Sequence, residues 1–223
     1  MNTPRKFLLW DLPTRVFHWL LALLILLQWG TGEWHWLDMR WHFYGGYAIL
    51  ALLLFRLCWG FVGSDSARFS RFLRGPSAVL GYLRTLLRRE PEYLAGHNPV
   101  GGWSVLALLA CIAVQSVTGL FSGDADEALY GPLAGWLGDH AIDTITDVHE
   151  ATKNVLLALI VVHVAGVLWH LFVKRENLVA AMLGGRAPLR EDPRLRFRGL
   201  WLAVVLAGMC AGAVWALVTY GGR

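Results

Sequence analysis

Apolar residues in this chain gather into long blocks separated by short charged segments, a pattern unlike the alternation of a half-buried strand or the stripe of a soluble helix. Five blocks stand out, roughly Val16–Gly30, Phe43–Val62, Trp103–Phe121, Val155–Val173 and Leu200–Tyr220. At 1.5 Å per residue, about 20 apolar residues cross a hydrocarbon layer of about 30 Å, so each block predicts a transmembrane helix. The first is short, but Leu12, Trp34 and Trp36 extend it into the interfaces, where Trp is favoured. Arg5 and Lys6 precede it as in a secretion signal, yet the run continues past Gln28 with no small-residue cleavage pattern, which predicts a retained helix. Pro76–Glu90 carries Val79, Leu80, Leu83, Leu86 and Leu87 on one face and Arg84, Arg88 and Arg89 elsewhere, the pattern of an interfacial helix. Gly96–Gly102 predicts a tight turn, and Ser122–Thr146 a long connection over the outer side of the bundle. No internal repeat is evident, and the fifth block, without an ionisable residue between Leu200 and Tyr220, predicts a peripheral, lipid-facing helix. The expected architecture is an all-α integral membrane protein, a four-helix transmembrane bundle plus a fifth C-terminal helix, with residues 1–185 as the core and 186–223 as a cytoplasmic linker and that helix.

Composition agrees, with 56% hydrophobic residues and 12 tryptophans. The formal charge of +4 is no sign of a nucleic-acid partner, because Lys and Arg occupy alternate loops. Arg5, Lys6 and Arg15 precede the first helix; Arg68, Arg71, Arg74 and Arg84 follow the second; Lys174, Arg175, Arg186 and Arg190 follow the fourth. The connection after the third has Asp124, Asp126, Glu127, Asp139, Asp143 and Asp147 and no cation. The positive-inside bias then predicts a cytoplasmic N-terminus and, after five crossings, a C-terminus on the outer side. Cys58, Cys111 and Cys210 are isolated in apolar segments, which excludes a disulfide framework and a C-x-x-C-H site for covalent haem.

Histidines supply the candidate chemistry. His149 and His163 are 14 residues apart, close to four helical turns, and so share a face about 21 Å apart along the axis. That distance suits two separate haems rather than one metal centre. Matching depth in the membrane pairs His42 with His149 on the outer side and His18 with His163 on the inner side. His170, one heptad beyond His163, competes for the inner site or serves as a proton carrier or quinone contact. His35, His97 and His140 fall in connections and read as ordinary surface residues. Iron with two protein imidazoles has no open position for oxygen chemistry and transfers electrons. Arg56, 14 residues after His42, reaches the inner depth as a propionate partner or as a snorkelling side chain. Gly45, Gly46 and Gly119 offer a flat macrocycle room beside a helix backbone.

Trp10-Asp11-Leu12-Pro13-Thr14-Arg15-Val16-Phe17-His18-Trp19, Arg56-Leu57-Cys58-Trp59-Gly60-Phe61-Val62-Gly63-Ser64, Gly96-His97-Asn98-Pro99, Thr118-Gly119-Leu120, His149-Glu150 and Lys174-Arg175-Glu176-Asn177-Leu178 occur in order. Together they resemble the bacterial cytochrome b561 family, in the branch that includes cytochrome b subunits of nickel-iron hydrogenases. The resemblance covers roughly Trp10 to Gly185. It implies two non-covalent haem b groups, axial ligands at His18, His42, His149 and His163, and electron exchange between a quinone pool and a redox partner. It favours His163 over His170 and leaves Arg15 and Lys153 as weaker candidates for propionate or quinone contact. The fifth helix departs from the common four.

The function expected is a transmembrane electron carrier within the lipid bilayer, exchanging with quinone and with a cytochrome c or hydrogenase-like partner on the outer face. Two alternatives are a stand-alone quinone reductase with a small donor, and a non-redox proton-coupled transporter. The transporter predicts a colourless protein, and the lack of an inverted repeat or broken-helix pair disfavours it. From topology alone, His42→Ala is expected to remove one haem and spare the other, read as haem per purified chain; loss of both would sink the independent-site picture.

Overall fold

The computed structural model describes residues 3–86, 89–91, 93–125 and 128–222. In chain order the elements are β1 (Arg5–Leu8), α1 (Leu12–Gly32), α2 (Arg40–Val62), the short α3 (Phe69–Phe72) and α4 (Pro76–Thr85), α5 (Pro99–Phe121), β2 (Gly123–Asp124), β3 (Leu129–Tyr130), α6 (Asp139–Phe172), α7 (Leu178–Gly184), β4 (Arg186–Leu189) and α8 (Leu200–Tyr220). Helices α1, α2, α5, α6 and α8 are long and apolar enough to cross a membrane, as the five blocks predict.

The largest departure from expectation is α6. It begins at Asp139, well before the apolar block at Val155, and its 34 residues measure about 50 Å. Hydropathy marks the lipid-immersed part of a helix, whereas backbone hydrogen bonding carries the same helix on through Asp143, Asp147 and Glu150. The last part of the expected outer connection, from Asp139 to Thr146, is therefore helical. It is tied to the first half where Gly123 N donates to Thr146 Oγ1 at 3.0 Å. Asp126 and Glu127 lie outside the described residues, as do Leu87 and Arg88 of the interfacial segment. Within α4, Tyr82 is buried while Leu80 and Leu83 are exposed, as expected of a helix lying at an interface.

Contacts group the chain into two compact units. The first comprises Met1–Val16, Leu57–Leu108 and Leu159–Ala203. In it β1 pairs antiparallel with β4, from Arg5 opposite Leu189 to Leu8 opposite Arg186, and Leu9 and Trp10 pack on Ala181. Asp11 joins the N-terminus to the end of α2: its Oδ1 accepts from Thr14 N at 3.0 Å as a helix cap, and its Oδ2 accepts from the indole N–H of fully buried Trp59 at 3.0 Å. Gly60 and Gly63 are small because the rings of Phe69 and Trp59 occupy the space a Cβ would need. Ser64 and Asp65 anchor the segment before α8, with Arg198 N donating to Ser64 Oγ at 3.1 Å and Arg196 N to Asp65 Oδ2 at 3.1 Å.

The second unit comprises Phe17–Arg56, Leu109–Ala158 and Val204–Arg223. Its core joins Leu50 of α2, Leu120 of α5, Leu133 of the outer connection and Val214 of α8. The fifth helix thus has one packed stripe, Ala203, Cys210 and Val214, while Trp201, Val204, Met209 and Trp215 stay exposed to lipid. Because α8 is apolar all the way round, its sequence marks no face, and the packed side emerges only in the fold.

Asp11→Ala removes a helix cap and leaves a buried indole N–H without its acceptor, a loss of about 2 kcal/mol. It is expected to lower the Tm in detergent, with Asp11→Asn intermediate; an unchanged Tm would contradict the proposed role of this contact.

Candidate functional site

Two helical hairpins of the second unit bring a histidine pair together. His42 opens α2 and His149 lies within α6; their ring centroids are 6.5 Å apart with the planes at 77°. Each imidazole is held by the long helix preceding its own. Thr31 Oγ1 of α1 is 3.2 Å from His42 Nδ1, and Thr118 Oγ1 of α5 is 3.0 Å from His149 Nδ1. Gln28 Nε2 donates to the His42 carbonyl at 3.0 Å, and Gln115 Nε2 lies 3.0 Å from His149 Nε2. A Cβ at Gly32 would stand 2.9 Å from His42 Cε1, and one at Gly119 would stand 3.0 Å from His149 Cε1, so both glycines leave room for an imidazole. The space expected at Gly45 for a macrocycle is instead taken by the Gln28 amide.

Two metal–imidazole bonds of about 2 Å each, plus the half-widths of two five-membered rings, come to about 6 Å. The observed 6.5 Å therefore fits one metal between the rings. Among the described residues, no three His, Cys, Asp or Glu side chains converge on a metal position. An opposed pair without further ligands suits a metal that brings its own equatorial nitrogens, as haem iron does.

The other expected residues are distributed between the units. His18 belongs to the second unit, half-buried and edge-on to Trp19 at 4.9 Å, and His163 to the first, also half-buried. Arg56 is 3% exposed, so its side chain is enclosed by protein rather than snorkelling. Arg15 donates from Nε to Met182 O at 3.3 Å and from Nη2 to Leu183 O, at the C-terminal end of α7, where a cation is favourable. Lys153 Nζ bridges Glu33 Oε2 at 2.6 Å and Glu150 Oε2 at 2.7 Å. His97 is no plain surface residue: its ring lies between Trp10 at 4.8 Å and Phe72 at 4.7 Å.

A second polar cluster occupies the first unit. Buried His170 meets Glu176 Oε2 through Nδ1 at 2.8 Å, and its Nε2 lies 3.4 Å from the Tyr82 hydroxyl and 3.3 Å from Asn98 Nδ2. Asn98 also caps α5, its Oδ1 accepting from Gly101 N at 2.6 Å. Buried Lys174 sits over the Tyr82 ring, 5.2 Å from its centroid. Spacing along the chain singled out His170 alone, since its partners come from separate segments.

Thr31, Thr118, Gln28, Gln115 and Gly32 were not anticipated from the sequence as site residues. Their signal is a short motif that occurs twice, Gln28-Trp29-Gly30-Thr31-Gly32 and Gln115-Ser116-Val117-Thr118-Gly119.

Membrane-spanning helices that oppose two imidazoles across a gap of this width define a class, the haem-binding membrane proteins. Comparison with known sequences narrows the class: residues 9–185 match the profile of prokaryotic cytochrome b561, and the chain belongs to that family. Similar curated proteins include a "Probable Ni/Fe-hydrogenase B-type cytochrome subunit" of Azotobacter vinelandii, 26% identical over 82% of this chain and 89% of the relative. Proteins of the same name from Rhizobium leguminosarum bv. viciae (24%, with 82% and 89% covered) and Bradyrhizobium diazoefficiens (25%, with 67% and 66%) are also similar. No solved structure matches the chain. Family membership makes this a multi-pass membrane protein with haem b as cofactor and membrane electron transfer as its activity.

The Lys153 ammonium, by donating to Glu33, holds that exposed carboxyl below its ordinary value of 4.5. A lowered carboxyl contributes stability above its ordinary value and loses it as pH falls through the lowered one, so the contact opens only in acid. Carboxyl NMR is expected to find Glu33 titrating below 4.5 and returning toward it in Lys153→Met; identical titrations would show that the contact is not formed.

Proposed function

We propose that this chain is a di-haem cytochrome b that carries electrons across the inner membrane between quinone and a redox partner at the outer face. The observation that carries the reading is the His42–His149 pair, half-buried, with 6.5 Å between ring centroids. Imidazoles among lipid-facing segments are costly unless they are partnered or bind something, and here two half-buried ones lie close together. His42 and His149 are assigned to the outer haem, and His18 and His163 to the inner one by the depth argument. Haem b would supply one-electron chemistry there, with these histidines as the residues that would hold it.

The chain's own residues hold the ligands, exclude water and place charge. Arg56, enclosed by protein, is the leading partner for a propionate. Arg15 ranks below it, since its guanidinium already serves the carbonyls of Met182 and Leu183. Quinone chemistry moves protons together with electrons, and the His170–Glu176–Tyr82–Asn98 cluster is assigned to that exchange on the cytoplasmic side. There His170 Nδ1 is held by the Glu176 carboxylate, leaving Nε2 turned toward the hydroxyl and the amide. The N-terminus is assigned to the cytoplasm and the C-terminus to the periplasm, with residues 1–185 forming the di-haem core. The similarity to proteins described as hydrogenase cytochrome subunits supports a hydrogenase-like partner. Acidic residues of the outer connection, Asp124 and Asp139 among them, favour a basic docking surface on that partner.

The pyridine haemochrome assay on purified protein is expected to find two b haems per chain, and a soluble quinol to reduce them. One haem per chain would overturn the di-haem assignment, and haems that ignore the quinol would overturn the quinone assignment.

A further inference from the structure

Gln-x-x-Thr-Gly occurs twice, closing α1 as Gln28–Gly32 and lying near the end of α5 as Gln115–Gly119, and each copy meets the histidine of the long helix that follows. The two threonines make the same three contacts. Thr31 Oγ1 is 2.8 Å from Leu27 O, 3.2 Å from Gln28 O and 3.2 Å from His42 Nδ1. Thr118 Oγ1 is 2.8 Å from Val114 O, 3.1 Å from Gln115 O and 3.0 Å from His149 Nδ1. A hydroxyl has one proton, and in both cases the helix carbonyls take it. What each threonine turns toward its imidazole is a lone pair, so Nδ1 must be the donor. A neutral imidazole protonated at Nδ1 keeps its free lone pair on Nε2.

Gln115 Nε2 lies 3.0 Å from His149 Nε2 as a donor to that nitrogen, a contact that has to be given up when Nε2 takes a metal. The glycine after each threonine then removes the one side-chain atom that would crowd the ring at Cε1.

We propose that Thr31 and Thr118 are paired positioning residues that fix His42 and His149 in the Nδ1–H tautomer, aim both Nε2 atoms at the same iron and help set its reduction potential. This rests on the reading of His42 and His149 as axial ligands. Hydrogen bonding from Nδ1–H to an acceptor makes the ring a better electron donor through Nε2, which favours the ferric form. A neutral hydroxyl does this more weakly than a carboxylate. Removing it shifts the balance toward the ferrous form.

The test is potentiometry on the purified, haem-loaded full chain, with haem counted per chain, for Thr31→Val, Thr118→Val and the two serine variants. Valine keeps nearly the shape of threonine and loses the acceptor; serine restores it. Each valine variant is expected to raise the midpoint of one haem, by a threefold to tenfold change in the ferrous-to-ferric ratio, the larger being about 59 mV for one electron. The other haem should stay at its wild-type midpoint, and serine should return the shifted one to it. Loss of one haem in the valine variants but not in the serine variants also supports the role, since only the acceptor differs. Wild-type midpoints with full haem in both valine variants overturn the proposal, as do serine variants displaced as far as valine. His42→Ala separates the two levels. If it keeps both haems, the ligand assignment itself fails; if it loses one while the valine variants remain unaltered, only the threonine role fails.

Discussion

Lipid offers no hydrogen bonds, so a polar side chain placed among apolar helices must find its partners within the protein. In the second unit this requirement is met by pairing each imidazole with a threonine on the neighbouring helix, His42 with Thr31 and His149 with Thr118. The threonine hydroxyl is itself satisfied by carbonyls of its own helix. The order of the helices follows from it. A histidine at the start of α2 or within α6 needs the end of α1 or α5 at the same height, which antiparallel hairpins provide.

The sequence motifs divide between construction and chemistry. Trp10, Asp11, Trp59, Gly60, Gly63 and Ser64 are building parts. Asp11 caps α1 and accepts from the Trp59 indole, and Ser64 holds the backbone that leads into α8. The glycines admit aromatic rings rather than a cofactor. Chemistry is assigned instead to His42 with His149, His18 with His163 and the cluster around His170, in which Asn98 also caps α5. Charge follows the same division, since Arg15 serves helix α7 and Lys153 serves Glu33 and Glu150.

Much was legible in the sequence because the membrane imposes a one-dimensional constraint. A span must be apolar for about 20 residues, so the five crossings and the alternating charge of the loops could be read directly. The 14-residue intervals from His42 to Arg56 and from His149 to His163 likewise translate into depth, because a straight helix converts residue number into distance. Depth matching paired His42 with His149 without knowledge of the contacts, and the folded chain brings those two rings together.

Other features depend on direction around the helix axis, which the apolar blocks do not encode. Nothing in an all-apolar stretch says which face is packed, so the buried stripe of α8 and the room made by Gly32 and Gly119 appear only after folding. The water-side extension of α6 carries no hydropathy signal, and the β1–β4 pairing joins segments at opposite ends of the core. Tyr82 and Asn98 reach the His170 cluster from segments distant in the chain, which no spacing rule links. Sequence by itself determined the number of helices able to cross a membrane and drew attention to the histidines, because these follow from length and polarity along a line. Tertiary structure decided which faces meet and which hydrogen-bond partner each imidazole receives, because those depend on contacts between segments distant in the chain.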